Sequence, residues 1–207
     1  MHKQYLIAMS GLVGITTLSG FALTAQGVNA VTSTKSATVT VSSSCGMTAD
    51  VTSAHSTSLA AGTYENNIGT TVITSTCNDM GGYALYAVGY TGDTVGNNVL
   101  HSSTLASSND IPTGIAQSGQ ASQWAMKLSS VTGTYAPTII SPYNDYASVP
   151  NAYTKVASFG SATDTANGSS VSTTYAVYVK HTQYAGNYSG AVKYVLVHPS
   201  TGAAPTV

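Results

Sequence analysis

The chain has 207 residues, a formal net charge of −1 and only 6% charged residues. After residue 30 it contains no arginine, five lysines and seven acidic residues, of which Glu65 is the one glutamate. This balance excludes the basic surface of a nucleic-acid-binding domain and leaves few groups for proton transfer. We therefore expect a protein that is not an enzyme, uses no cofactor and binds no nucleic acid.

Residues 1–30 fit a secretory signal peptide. A weakly basic start with Lys3 precedes an apolar stretch over residues 6–15, and the small-residue sequence Val28-Asn29-Ala30 follows. The apolar stretch is shorter than the roughly 20 residues of a membrane-spanning helix. A retained amphipathic anchor is the alternative. We expect cleavage before Val31 and a secreted, extracellular or cell-surface protein with no membrane span after cleavage.

Residues 31–198 are predicted to form a single domain, and residues 199–207 a flexible C-terminal tail. Apolar and polar residues alternate with a period of two, and helix signals are nearly absent, so strands are expected. Seven or eight short strands separated by Gly, Asn and Asp turns indicate an all-β fold. The architecture expected from this pattern is an antiparallel, immunoglobulin-like (pilin-like) β-sandwich.

The two expected strands that contain the cysteines carry the pattern that predicts a disulfide. A strand is expected at residues 37–41, and the next one places Cys45 and Met47 on one face. Its partner is expected at residues 71–77, where Cys77 also lies on the apolar face. An even cysteine count after an export signal indicates a bridge, and the shared parity fits an inter-strand or inter-sheet bond. Two buried free thiols are the alternative.

The later strands continue the alternation. The clearest places Trp124, Met126 and Leu128 on one face. The last two are expected to form a pair joined by a turn at Gly186-Asn187. Because the last strand is apolar on both faces, it is expected to be central or covered. These strands are predicted at residues 83–90, 122–131, 153–159, 171–180 and 190–198.

Two segments, 96–120 and 132–152, lack this alternation and are predicted to be long loops. Loops of this length in a compact domain are commonly functional; the alternative is that they cover sheet edges or contain an unrecognised strand. Tyrosines cluster in and beside the second loop. A tyrosine offers apolar area and a hydroxyl for binding sugars or proteins, unless its ring packs on the sandwich. The candidate binding residues are Tyr135, Tyr143, Tyr146 and Tyr153.

Motifs for catalysis or metal binding are missing from the sequence. The histidines after residue 30 are widely separated and form no ligand pair, and no nucleophile-elbow motif is present. Most aspartates lie in turn-like settings, although a facing pair of carboxylates, as in a glycosidase, remains open. No catalytic residue or metal ligand is predicted, and an unrecognised hydrolase is the remote alternative.

Both ends of the expected domain resemble known β-sandwich subunits. The segment 37–45, with its alternating strand leading into Cys45, is similar to the start of mature subunits in the fimbrial and spore-coat-U-like families. The sequence 184–197, with Ala185-Gly186-Asn187-Tyr188 and the final strand, looks like the last turn and strand of such sandwiches. This resemblance implies assembly by donor-strand exchange, in which an N-terminal extension completes a neighbour's sheet. Residues 31–44 are either that extension or the domain's own first strand, and we favour the latter.

The whole of residues 31–207 resembles a family of uncharacterised exported surface proteins of ultrasmall, host-attached bacteria. That resemblance is carried by residues 64–70, 86–93, 124–128 and 192–199, and it implies no activity. Together these features favour a secreted or cell-surface structural or adhesive protein that acts by contact, with a fimbria-like filament subunit as one form. The alternative is a carbohydrate-binding module that uses the Tyr-rich loops. The expected partners are a protein or glycan on a cell surface, or further copies of the chain.

Overall fold

The computed structural model describes residues 39–40, 44–50, 58–78, 81–91, 94–115, 117, 119, 121–131, 136–160, 168–198 and 203–206. The chain divides into residues 1–40 and 41–207. In the first unit only Val39 and Thr40 are described; both lie outside any strand, and Val39 is 84% exposed. The predicted signal peptide lies outside the described residues, as do most of the strand predicted at 37–41 and part of the predicted tail.

The described part of the second unit is a β-sandwich of antiparallel strands. One sheet, the first, has the order β1-β2-β9-β5-β7; the second has the order β10-β3-β8-β6, with β4 paired to β3. A single 3₁₀ turn, Ser107–Asn109, is the helical element among the described residues. The all-β, antiparallel prediction is confirmed; the immunoglobulin-like detail stays a prediction. The strands are β1 Cys45–Asp50, β2 Tyr64–Cys77, β3 Tyr83–Thr91, β4 Thr94–Val95, β5 Gln123–Val131, β6 Thr138–Ile139, β7 Ala147–Ser148, β8 Thr154–Phe159, β9 Ser169–Tyr178 and β10 Ala191–Val197.

The hydrophobic core lies between the two sheets. From the first sheet, β5 contributes Trp124, Met126 and Leu128, which are 3%, 0% and 1% exposed, as their alternation predicted. From the second sheet, Leu85 of β3 and Val156 of β8 are fully buried in the same cluster. Alternate residues of each strand point to one face of a sheet, so the two inner faces supply one continuous core.

A disulfide joins the first two strands. Cys45 and Cys77 are direct partners in the antiparallel register of β1 and β2, with their Cα atoms 4.1 Å apart. Beside it, the backbone N–H of Ser44 donates to Oδ1 of Asn78 at 2.6 Å, and the N–H of Asn78 donates to the carbonyl of Ser44 at 3.1 Å. The predicted disulfide and the predicted pairing of these strands are confirmed, and the bridge is inter-strand.

β2 is longer than the strand predicted at 71–77. Its first half pairs with β9 through an irregularity between Glu65 and Gly69. There the carboxylate of Glu65 accepts from the N–H of Asn67 at 3.3 Å, and the side-chain oxygen of Asn67 accepts from the N–H of Gly69 at 3.0 Å. An Asn side chain that bonds to nearby backbone is more usual in a turn; here the bonds of Glu65 and Asn67 lie at the register shift inside β2.

The predicted pairing of the last two strands is wrong. β9 is in the first sheet, between β2 and β5, whereas β10 is in the second sheet and pairs with β3. The segment 181–189 therefore crosses from one sheet to the other. The last strand was expected to be central or covered, but β10 is the end strand of its sheet, and its residues are exposed or only partly buried.

The two predicted loops contain short pieces of sheet. In 132–152, β6 pairs with β8 and β7 pairs with β5. In 96–120, Leu100 and Ile111 form a β-bridge, and the indole N–H of Trp124 donates to the carbonyl of Asn98 at 2.8 Å. Segment 132–152 thus matches the alternative expectation of an unrecognised strand. The described part of segment 96–120 carries isolated bridges and the 3₁₀ turn. None of the helices in the described part of the chain is long and apolar enough to cross a membrane.

Candidate functional site

The longer end strand of each sheet lies on the same side of the sandwich. β1 ends the first sheet and β10 ends the second, and their Cα atoms approach within 8 Å of each other. We call this side the β1–β10 seam and define it by residues 45–50 and 191–197. End strands present backbone N–H and C=O groups that can pair with an added strand.

Apolar side chains along the seam are only partly covered. Met47 of β1 and Val192, Tyr194 and Leu196 of β10 pack against the core, yet each is half-buried. Inward side chains of the interior strands, such as Val171 of β9, are fully buried. Val195 and Val197, on the other face of β10, are half-exposed as well. The core is therefore less completely covered at the seam than beneath the interior strands.

Tyr194 connects the seam to the opposite sheet. Its hydroxyl donates to Oγ1 of Thr173 at 3.0 Å and lies 3.1 Å from the hydroxyl of Tyr175, both on β9. Burial, and then the neighbouring Tyr175, raises the pKa of Tyr194 well above its ordinary value. Burial also raises the pKa of Tyr175. Both phenols are neutral at physiological pH and act as hydrogen-bonding groups inside the sandwich.

One end of the seam carries the disulfide and a histidine. The sulfur atoms of Cys45 and Cys77 and a ring nitrogen of His198, which directly follows β10, all lie within 4.8 Å of one another. This proximity could not be predicted from the sequence, because the three residues are far apart in the chain. Both sulfurs are committed to the S–S bond, so they are not available as the thiolates that metal binding requires.

The structure separates the four tyrosines predicted as a binding cluster. Tyr143 is 6% exposed and belongs to the core between the sheets. Tyr146 packs instead against a small separate cluster of Ala125, Ala176 and Tyr178, and Tyr153 is half-buried. Tyr135 lies outside the described residues. The ring of Tyr143 therefore packs inside the sandwich, as the alternative expectation stated. A binding role for the other three tyrosines stays a prediction.

Tyr146 is part of a polar and aromatic surface on the outer face of the first sheet, the outer-face patch. Its members are Tyr64, Asn66, Lys127, Asp145 and Tyr146. The Tyr146 hydroxyl donates to the carbonyl of Asn66. The Lys127 ammonium lies 5.7 Å from the centre of the Tyr146 ring and 3.9 Å from a carboxylate oxygen of Asp145. These contacts hold the loop before β7 against the bulged part of β2.

The charges beside the patch act on its two phenols. Burial, followed by the negative charges of Asp145 and Glu65, raises the pKa of Tyr64. Burial, then Tyr64 and the same two carboxylates, raises the pKa of Tyr146. Both hydroxyls therefore remain protonated at neutral pH and can donate hydrogen bonds. Tyr146 is among the tyrosines predicted from the sequence, whereas Tyr64 is not, because it lies in the part of β2 that precedes the predicted strand 71–77.

A cleft of about 660 Å³ opens at one end of the sandwich. Leu100, Ile111 and Val177 form an apolar floor, and residues 183–189 form much of its rim. Near the floor, Nδ1 of His101 lies 2.8 Å from a carboxylate oxygen of Asp110. The pairing of His101 with Asp110 could not be predicted from the sequence, because the β-bridge between Leu100 and Ile111 that brings them together has no sequence motif.

The class that the structure defines is an antiparallel β-sandwich with one inter-strand disulfide. Comparison of the chain with protein-family models, curated proteins and solved structures finds no match to any of the three. The β1–β10 seam and the outer-face patch are therefore the features that bear on function.

Proposed function

We propose that this protein is a secreted or cell-surface structural protein that acts by contact, and that it assembles as a fimbria-like subunit by accepting a strand at the β1–β10 seam. The observation that carries the proposal is the half-buried apolar row of Met47, Val192, Tyr194 and Leu196 between two end strands. An added strand there would cover these apolar side chains. It would also pair with the outer backbone edge of β1 or β10, each of which ends its sheet in the described part of the chain, and this combination is the physical basis of strand addition.

The strand to be added is the N-terminal segment of a second copy. Residues 37–41 alternate apolar Ala37, Val39 and Val41 with Thr38 and Thr40, as a strand with one buried and one exposed face requires. Val39 is 84% exposed and outside any strand in its own chain, so its apolar side chain is available to a neighbour. We therefore propose that this segment is donated to a neighbour, although the sequence alone favoured an intramolecular first strand.

The test compares the full chain with a deletion of residues 31–41 by size-exclusion chromatography with light scattering, circular dichroism and negative-stain electron microscopy. We expect linear oligomers from the full chain and a folded monomer from the deletion variant. An unfolded deletion product would make the segment an intramolecular strand, and a monomeric full chain would refute assembly at the seam.

Two point variants give a matched control. Val39→Asp places a charge on the apolar face of the segment, whereas Thr40→Asp places the same charge on the polar face. Because a buried unpaired carboxylate is costly, Val39→Asp is expected to abolish oligomers and Thr40→Asp to leave them intact. Equal loss of assembly in both variants would argue against insertion of a strand with this register.

A further inference from the structure

We infer that the outer-face patch is a glycan-binding site, specific for neutral or N-acetylated sugars. This inference is independent of strand addition, because the patch lies on the outer face of the first sheet and the seam lies at its end strand. The two functions would serve one protein: the seam joins copies, and the patch contacts a surface polysaccharide.

The sheet supplies an aromatic platform for the patch. Tyr64 of β2 is directly opposite Tyr178 of β9 in the register, so their side chains are on the same face. Tyr178 is 4% exposed and packs with Ala125 and Ala176, with Tyr146 against the cluster. Tyr64 is 40% exposed. A buried layer of small and aromatic residues thus lies on the same sheet face as the exposed Tyr64, whose backbone position is set by strand pairing.

The groups around the platform match the chemistry of a sugar. Each sugar ring presents an apolar C–H face that can stack on a tyrosine, together with hydroxyls that both donate and accept. Next to the platform, the Asp145 carboxylate can accept, and its side chain is 84% exposed; the Lys127 ammonium can donate, and its side chain is 40% exposed. Tyr side chains provide this combination of apolar area and hydroxyl at low conformational cost.

The charge of the surroundings selects the class of sugar. Asp145 and Glu65 carry two negative charges near the phenols, and Lys127 carries one positive charge, so the local balance is negative. A uronic or sialic acid would bring a further negative charge, and like charges in contact are unfavourable. A neutral hexose or an N-acetylhexosamine has no such cost.

The test is an array of neutral, N-acetylated and acidic oligosaccharides, probed with the purified full chain coupled to beads so that multivalency detects weak binding. The strongest neutral or N-acetylated hit is then titrated by calorimetry. We expect binding to these classes and none to the acidic ones. Absence of binding to every neutral and N-acetylated glycan, or binding confined to acidic glycans, would overturn the inference.

Variants at Tyr64 locate the site. Tyr64→Ala is expected to weaken binding about tenfold, which corresponds to losing roughly 1.4 kcal/mol of ring contact. Tyr64→Phe, which keeps the ring, is expected to retain most of the affinity. Tyr184→Ala is the matched control, because Tyr184 is also exposed, at 66%, but lies in the segment between β9 and β10. Equal weakening by Tyr184→Ala, or full affinity in Tyr64→Ala, would contradict the assignment.

Discussion

The hydroxyl oxygens of Tyr194 and Tyr175 lie 3.1 Å apart, although the two residues belong to different sheets. Tyr194 also donates to Oγ1 of Thr173 at 3.0 Å. A three-residue hydrogen-bonded network therefore ties the end strand β10 to the interior strand β9. Buried hydroxyls need such partners, because an unsatisfied buried polar group costs free energy.

Replacing Tyr194 by Phe should destabilise the fold by about 1–2 kcal/mol. The ring still packs on the core, but the hydroxyls of Thr173 and Tyr175 each lose a partner. Urea unfolding of the wild type and the variant measures the change in the free energy of unfolding. Tyr184→Phe serves as the control, and the two variants should differ; if both unfold like the wild type, the network does not contribute to stability.

The same tyrosines predict a loss of stability at alkaline pH. Burial raises the pKa of both Tyr194 and Tyr175 in the folded state, so above an unfolded-state pKa of about 10 the unfolded chain releases these protons more readily. The contribution of these two tyrosines to stability should be fully present below that pH and fall as the pH rises above it. The free energy of unfolding at pH 8, 10 and 11 checks this, and the decline should be shallower in Tyr194→Phe.

Removing the disulfide should cost roughly 3–4 kcal/mol in the chain-entropy model for a loop of this size. The bridge connects residues 32 positions apart, and the double variant Cys45→Ala, Cys77→Ala avoids leaving a buried thiol unpaired. Thermal unfolding monitored by circular dichroism, with and without reductant, measures the effect. The reductant should lower the midpoint of the wild type and leave that of the double variant unchanged.

Gly82 is expected to be intolerant of substitution, whereas Gly160 beside it is expected to tolerate alanine. Gly82 has φ of +74°, and a Cβ there would lie 1.8 Å from the carbonyl oxygen of Phe159. The left-handed backbone alone costs about 1–3 kcal/mol for a residue with a side chain. A Cβ at Gly160 meets nothing within 4 Å. Equal stability of Gly82→Ala and Gly160→Ala would contradict this geometry.

The sequence predicted the strands whose alternation reflects a single buried face. β5 was found with its inward residues Trp124, Met126 and Leu128, and the parity of Cys45 and Cys77 predicted both their bond and the pairing of β1 with β2. These features depend on local periodicity, which the sequence expresses directly. The short strands β6 and β7 were missed, because two residues are too few to show an alternation.

The position of β10 could not be predicted from its composition. Val192 and Leu196 point toward the core and Val195 and Val197 point away from it, so both faces are apolar; in most sheets this pattern indicates a covered strand. The structure instead places β10 at the end of its sheet. The alternation of apolar residues shows how many faces of a strand are apolar. The order of the strands in a sheet depends on long-range packing.

Only part of the outer-face patch could be predicted from the sequence, because its residues are brought together by long-range strand pairing. Tyr146 was noticed as one of a group of nearby tyrosines, whereas Tyr64 is distant in sequence and meets the patch through the register of β2 with β9. Tyr143, three residues before Tyr146, lies in the core. Sequence proximity therefore placed the core residue Tyr143 and the surface residue Tyr146 in one group, whereas strand pairing brings Tyr64 near Tyr146.

The end strands of the two sheets differ in length between the two sides of the sandwich. β6 and β7, at the other ends of the two sheets, have two residues each, too few to template a full-length strand, whereas β1 and β10 have six and seven. The longer end strand of each sheet therefore lies on the same side of the sandwich, where β1 and β10 approach each other. If strand addition occurs at this side alone, each copy accepts one strand and donates one, so the copies would form a single-file thread with two unlike ends.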